Sequence, residues 1–297
     1  MRLKELKSLC GSVLFDEPMS RHTTFRIGGK AAALADAASE DEIRNVVIFC
    51  RGEGIPLFVC GNGSNLLVSD AGFDGVILRI ENGLSEVSVE GKCVRAQAGA
   101  MLSKAALAAL SARLAGLEFA SGIPGTVGGG CVMNAGAYGG ELKDVLREIR
   151  IMLPDGTVRS ETPESLNLGY RTSDIPALSA CVLSAEFSLN EGDQEAIKSR
   201  MDELRQRRRE KQPLNLPSAG STFKRPEGNF AGKLIEEAGL KGFRVGGAEV
   251  SEKHCGFVVN TGGASAADVA ELIAQVKKRV FENSGVELVP EVRFVGF

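Results

Sequence analysis

The 297-residue chain has only two histidines, His22 and His254, and its seven cysteines stand apart at 10, 50, 60, 93, 131, 181 and 255 with no CxxC. That scarcity and scatter speak against a zinc or iron site, so no metal is expected. An odd number of dispersed thiols fits a reducing cytoplasm better than a disulfide framework. No apolar run reaches membrane-spanning length, and the opening MRLKELKSLCGSVLFDEP interleaves charge with apolar side chains instead of building a signal-peptide core. Positive charge is not in excess: the net charge of −3 argues against a general nucleic-acid binder. Two nucleotide signatures are missing as well. There is no GKS or GKT, which excludes a P-loop, and Gly61-x-Gly63 meets Leu66 where a dinucleotide fingerprint needs a third glycine. Tryptophan is absent too, which excludes nothing.

What is abundant is glycine. Residues 121–141, SGIPGTVGGGCVMNAGAYGGE, hold eight glycines among Ile, Val, Met and Ala. Glycine at this density costs chain entropy, which a fold accepts where backbone turns tightly or lies against a flat or anionic ligand. A flexible loop is the competing reading. A linker would carry Ser and charge instead, so the stretch reads as ordered backbone packed around something. A second glycine site follows the short strand at 55–60, which runs straight into Gly61-Asn62-Gly63-Ser64-Asn65. Strand, tight glycine–polar loop and more apolar chain make a phosphate-cradle arrangement, with N–H groups and the Ser and Asn side chains directed at an anion. An ordinary hairpin turn is the alternative.

Residues 21–30, RHTTFRIGGK, read as β-prone, and Ser39 with Glu42 as a capping box opening a helix that Gly52 and Gly54 close. Strands are expected at 76–80, 87–89, 93–98 and 180–189, a hairpin over 149–159 and a helix over 101–115. A charged helix over 195–211 ends before Pro213 in the basic run RQRRREK, read as a solvated helix end from which Lys211 could reach a phosphate. Residues 213–217 mark a domain boundary. Beyond it, Ser265 and Asp268 cap a helix with Val269, Leu272, Ile273, Val276 and Val280 on one face. Three polar spots stand in otherwise structural contexts: Tyr170-Arg171, Ser221 and Glu291. Ser221 has no histidine beside it in sequence, and GSTFK is not a GxSxG elbow, so proton donation is its easier role.

Seven motifs fall in one order along nearly the whole chain: Thr23-Thr24-Phe25-Arg26-Ile27-Gly28-Gly29, Gly61-Asn62-Gly63-Ser64-Asn65-Leu66-Leu67, Gly122-Ile123-Pro124-Gly125-Thr126-Val127-Gly128, Asn134-Ala135-Gly136-Ala137-Tyr138-Gly139, Tyr170-Arg171, Gly220-Ser221-Thr222-Phe223-Lys224 and Pro290-Glu291-Val292-Arg293-Phe294. Together they resemble the UDP-N-acetylenolpyruvoylglucosamine reductase family, flavoenzymes of peptidoglycan precursor synthesis. The resemblance implies an α+β, FAD-binding fold of the vanillyl-alcohol-oxidase (PCMH) type in two subdomains, 1–80 and 81–212, with a C-terminal α+β substrate-binding domain, 213–297. It implies FAD as cofactor, NADPH as reductant and a UDP-sugar enolpyruvate as small-molecule substrate, with no nucleic-acid or membrane partner. By the same resemblance, Gly61, Asn62, Gly63, Ser64 and Asn65 would hold the FAD pyrophosphate, and Gly122, Ile123, Pro124, Gly125, Gly128 and Asn134 would line the isoalloxazine. Ser221 matches the proton donor, and Arg171 and Glu291 the pair that steadies a developing enolate. Tyr170, Lys211, Lys224 and His254 stand where substrate contacts are expected.

This sequence departs from the family pattern in two places. Only about eight residues separate Arg171 from the strand at Ala180, which leaves no room for a long substrate lid and points to the short-loop branch. Arg225 follows Phe223-Lys224 where other members have Asn. Two other functions compete: an oxidase of the same flavin fold, which does not need Ser221 or Glu291, and a non-catalytic nucleotide-binding module, which has no use for Arg171, Ser221 and Glu291.

Overall fold

The structure, a computed structural model, describes residues 2–297. The chain divides into two compact units. The first holds residues 2–15, Ala33–Asn62 and Gly75–Arg208; the second holds Asp16–Ala32, Gly63–Asp74 and Arg209–Phe297.

Two sheets build the first unit. Ser12–Pro18, Lys30–Asp36, Phe73–Arg79 and Leu57–Cys60 lie side by side in that order, the last two parallel with Leu57 opposite Val76. Val158–Glu161, Leu146–Met152, Cys181–Ser188, Cys93–Gln97 and Val87–Glu90 form a second, antiparallel sheet. Its central strand carries Val182, Leu183, Ala185 and Phe187, all buried. The helix Leu102–Ser111 turns Ala105, Ala106 and Ala109 inward, and such small side chains let it pack closely. A single apolar core runs from Leu6 to Met201 and includes both Val76 and Val94.

The helix Glu40–Glu53 forms as the Ser39 signal predicts: the Ser39 hydroxyl accepts from the Glu42 N–H at 3.2 Å, and Gly54 ends it at φ +64°. The box is not reciprocal, however. The Glu42 carboxylate accepts instead from Ala38 N–H at 2.7 Å and Gly11 N–H at 3.0 Å.

The second unit pairs a three-stranded antiparallel sheet, Arg244–Val245, Ala248–Val250 and Val258–Asn260, with the helix Ala266–Ser284. All five apolar positions expected on that helix are buried, and Ser265 and Asp268 form a reciprocal box. Asp70, far off in sequence, accepts from the N–H groups of Ala266 at 2.8 Å and Ala267 at 2.9 Å, so further orphan donors of the first turn are satisfied. A short parallel pair, Leu66–Val68 with Arg293–Val295, completes the unit. Its 21–30 segment is not the expected strand. Thr23 Oγ1 accepts from Ile27 N–H at 3.4 Å and donates to Ile27 carbonyl at 2.9 Å, while Arg26 sits at φ +55°. These local side-chain bonds outcompete the β propensity of the run, and only Lys30 joins a strand.

Candidate active site

In the first unit the glycine stretch contains a helix, Val127–Met133, that propensity alone would not form. The Thr126 hydroxyl caps it from Gly129 N–H at 3.4 Å, and Asn134 ends it in the left-handed region at φ +43°. A Cβ on Gly128 would stand 2.9 Å from the Ala98 Cβ, and one on Gly130 would stand 3.0 Å from Leu142, so glycine permits the close packing. Ahead of the helix, Gly122, Ile123 and Gly125 leave partly exposed backbone and Pro124 is exposed. Asn62 Nδ2 donates to the Pro124 carbonyl at 3.0 Å, and a Cβ on Gly61 would lie 2.1 Å from Thr126 Oγ1. The two glycine segments therefore meet. Within the turn after the strand Leu57–Cys60, the N–H groups of Asn62, Gly63 and Ser64 donate to no acceptor among the described residues. Successive free N–H groups of this kind attract an anion.

Arg208 supplies a cation that the sequence did not disclose as such. Its guanidinium donates to the Gly122 carbonyl. Burial pulls its pKa below the ordinary value, with Tyr138 opposing, yet an arginine remains charged. The expected solvated helix end is corrected at this residue. The clue was present, because Ile197, Met201 and Leu204 are the buried residues of the helix Gln194–Lys211, and Arg208 continues their spacing.

Tyr170 and Arg171 form the tip of a two-residue turn. Gly169 N–H donates to Thr172 carbonyl at 3.1 Å and Thr172 N–H to Gly169 carbonyl at 3.3 Å, with Arg171 at φ +55°. The guanidinium donates to the Gly136 carbonyl at 2.7 Å and lies 5.1 Å from the ring centre of Tyr170, which is 43% exposed. Asn134 is 0% exposed. The side chain is sealed inside the protein, among protein partners. Cys131 and Cys181 in this unit are also buried, and burial pushes both thiols up to about 12, which leaves them without thiolate chemistry at neutral pH.

In the second unit, Ser221 follows Gly220 (φ +76°) and is itself exposed between buried neighbours, Ala219 and Thr222. Its hydroxyl makes no hydrogen bond among the described residues. The next residues are tied to 289–291: Glu291 N–H donates to the Thr222 carbonyl and Lys224 N–H to the Val289 carbonyl, both at 2.8 Å. On its other side, Thr222 N–H donates to the Gly256 carbonyl at 2.8 Å, and Thr222 Oγ1 accepts from Val258 N–H at 2.9 Å. Ser221, Lys224, Glu291 and His254 thus occupy neighbouring segments although up to 70 positions apart in sequence. Asn65 Nδ2 donates to the Glu291 carbonyl at 3.0 Å. His254 Nδ1 accepts from Gly256 N–H at 3.1 Å, which leaves the proton of the neutral ring on Nε2. Burial lowers the His254 pKa, and the nearby Lys211 ammonium acts in the same direction. Arg225 lies 4.0 Å over the ring of Phe230 and donates to the Asn229 carbonyl at 3.2 Å.

Known proteins carry the same parts in the same order. A family model described as FAD binding domain matches residues 31–161, and one described as UDP-N-acetylenolpyruvoylglucosamine reductase, C-terminal domain, matches residues 212–295. The UDP-N-acetylenolpyruvoylglucosamine reductase of Caldanaerobacter subterraneus subsp. tengcongensis is 51% identical over 295 residues, 99% of this chain and 97% of its own length. That of Agathobacter rectalis is 52% identical over 296 residues, 96% of this chain and 94% of its own length. The chain belongs to the UDP-N-acetylenolpyruvoylglucosamine reductase family. The crystal structure of the reductase (MurB) from Thermus caldophilus matches 96% of this chain and 98% of that one, with a TM-score of 0.81 at 36% identity. The α+β, FAD-binding fold expected from the motifs is that of the family. Wild-type Phl p 4.0202, a glucose dehydrogenase, shares only the fold, with a TM-score of 0.51 at 14% identity over 65% of this chain and 44% of that one. Among the described residues no helix is long and apolar enough to cross a membrane.

Proposed function

We propose that Arg171, Ser221 and Glu291 carry the reaction of this FAD-dependent reductase, which uses NADPH to convert UDP-N-acetylenolpyruvoylglucosamine to UDP-N-acetylmuramate in peptidoglycan precursor synthesis. The residues present suit FAD. Free N–H groups at Asn62, Gly63 and Ser64 match a pyrophosphate, with Gly61 and Asn65 bounding the turn. The partly exposed, side-chain-poor backbone of Gly122, Ile123, Pro124 and Gly125 suits a flat ring, Gly128 lets the helix behind it pack on Ala98, and the half-buried Arg208 beside Gly122 suits a ring that gains negative charge. When bound, FAD would relay a hydride from NADPH to the terminal methylene carbon of the enol ether, the carbon β to its carboxylate.

The chain's own residues do the rest. Hydride addition drives charge onto the enolpyruvyl carboxylate, and Arg171 meets it with a planar fork of donors already in place. Glu291 shares with Arg171 the task of steadying the enolate. Ser221 gives its proton to the carbon next to the carboxylate. The observation that supports this assignment most is the Ser221 hydroxyl, exposed and uncommitted, on a segment hydrogen-bonded to that of Glu291. Tyr170, Lys211, Lys224 and His254 contact the sugar nucleotide. The short connection after Arg171 supports membership of the short-loop branch, and NADPH uses the same pocket as the substrate. Seven free cysteines and a nucleotide-sugar substrate support a cytoplasmic enzyme.

Glu291→Gln tests the assignment. It should leave anaerobic bleaching of the flavin by NADPH unchanged and slow recolouring by the enolpyruvyl substrate by roughly 100-fold. Equal slowing of both steps, measured by stopped flow, would remove Glu291 from the chemistry.

A further inference from the structure

Arg171 is a long, flexible side chain at the tip of a turn, and a guanidinium helps a developing charge only if it is already aimed there. Resting on the proposed role of Arg171, we infer that Asn134 is the positioning residue that aims it. The buried amide of Asn134 is used from both ends. Nδ2 donates to Glu141 Oε2 at 2.8 Å and to the Gly169 carbonyl at 2.9 Å; Oδ1 accepts from Lys143 N–H at 2.9 Å. Gly169 is the residue that opens the turn bearing Arg171, so this amide holds the base of the turn. The backbone of the same loop holds the other end. Arg171 Nη2 donates to the Gly136 carbonyl at 2.7 Å, and Nη1 approaches the Asn134 carbonyl at 3.5 Å. Asn134 thereby holds the stem of the arginine through its amide and offers its own carbonyl to the head, beside that of Gly136.

No other residue type supplies all of this. The position needs φ +43°, which glycine and asparagine tolerate and most side chains do not. Glycine would bring no amide. Aspartate would offer acceptors only and would face the Glu141 carboxylate. On the far side of the turn, the Ser173 hydroxyl donates to the Val132 carbonyl at 2.7 Å, which ties the turn to the helix that Asn134 terminates.

The test is a double-mutant cycle on the full-length holoenzyme with Asn134→Gly, Arg171→Ala and the double variant. The two half-reactions are followed separately, with NADPH and then with UDP-N-acetylenolpyruvoylglucosamine. Asn134→Gly keeps the backbone conformation and deletes only the amide. It should leave flavin content, visible spectrum and reduction by NADPH within about twofold of the parent, and slow the second half-reaction about 30- to 100-fold. In the Arg171→Ala background it should slow nothing further, because its effect passes through a group already gone. Additive slowing, equal slowing of both halves, or no slowing would overturn the positioning role. If Arg171→Ala itself leaves the second half-reaction at full speed, the assigned role of Arg171 fails first and the inference falls with it. Should Asn134→Gly not fold, Ser173→Ala removes one tether of the same turn and should show the same pattern, roughly 3- to 10-fold and likewise lost in the Arg171→Ala background. Additivity there overturns the inference equally.

Discussion

Ser221→Ala should separate the two halves of the reaction cleanly. Flavin reduction by NADPH stays at the parent rate, whereas transfer to the enolpyruvyl sugar falls by about 10² to 10⁴, the range a positioned proton donor supplies. The Ser221 hydroxyl bonds to nothing among the described residues, so its removal orphans no partner. The fixed groups nearby belong to Thr222, whose carbonyl, N–H and hydroxyl all hold neighbouring segments. Thermal melts of the variant should therefore match the parent. Stopped-flow traces in which both halves slow by the same factor would assign Ser221 to binding and not to proton transfer.

Gly63→Ala should cost the protein its flavin. Gly63 sits at φ +61°, and a Cβ there would stand 2.1 Å from the His22 carbonyl oxygen. Backbone cannot yield as a flexible side chain would, so the turn itself must move. The free N–H groups of Asn62, Gly63 and Ser64 then lose their common aim. Charge-assisted hydrogen bonds contribute about 1.5–3 kcal/mol each, so losing two weakens FAD by roughly 100-fold or more. The flavin-to-protein ratio after purification measures this, with Gly52→Ala as the control, since a Cβ on Gly52 meets nothing within 4 Å. A Gly63→Ala protein as yellow as the parent would remove the turn from cofactor binding.

Much of this architecture can be read from local rules. The Ser265 cap, the apolar face from Val269 to Val280 and Gly285 at φ +70° are chemistry within one helix, and sequence contains all of it. The helix Val127–Met133 lies beyond such rules. Its glycines oppose it, and it exists because Ala98, Leu102 and Leu142 come close enough to require them. Residues 21–30 mislead in the opposite sense, since β-branched composition says strand while the Thr23–Ile27 bonds make a loop. At the site, residue types are legible and juxtapositions are not. Nothing local announces that Glu291 lies against Thr222, or that Asp70 caps a helix 196 residues away. Asn134 shows the gap most clearly. Its motif marks it as important, but only the fold shows it buried, with its amide bonded to Glu141, Lys143 and Gly169. A left-handed Asn ending a glycine-rich helix is the one clue that sequence offered.

The central claim is that one protein takes a hydride from NADPH onto a backbone-cradled flavin and returns it to an enolpyruvyl sugar. An anaerobic two-step titration of the purified chain tests it directly. One equivalent of NADPH should bleach the yellow protein, and one equivalent of UDP-N-acetylenolpyruvoylglucosamine should then restore the colour without oxygen. A bleached protein that recolours only when air is admitted would contradict it.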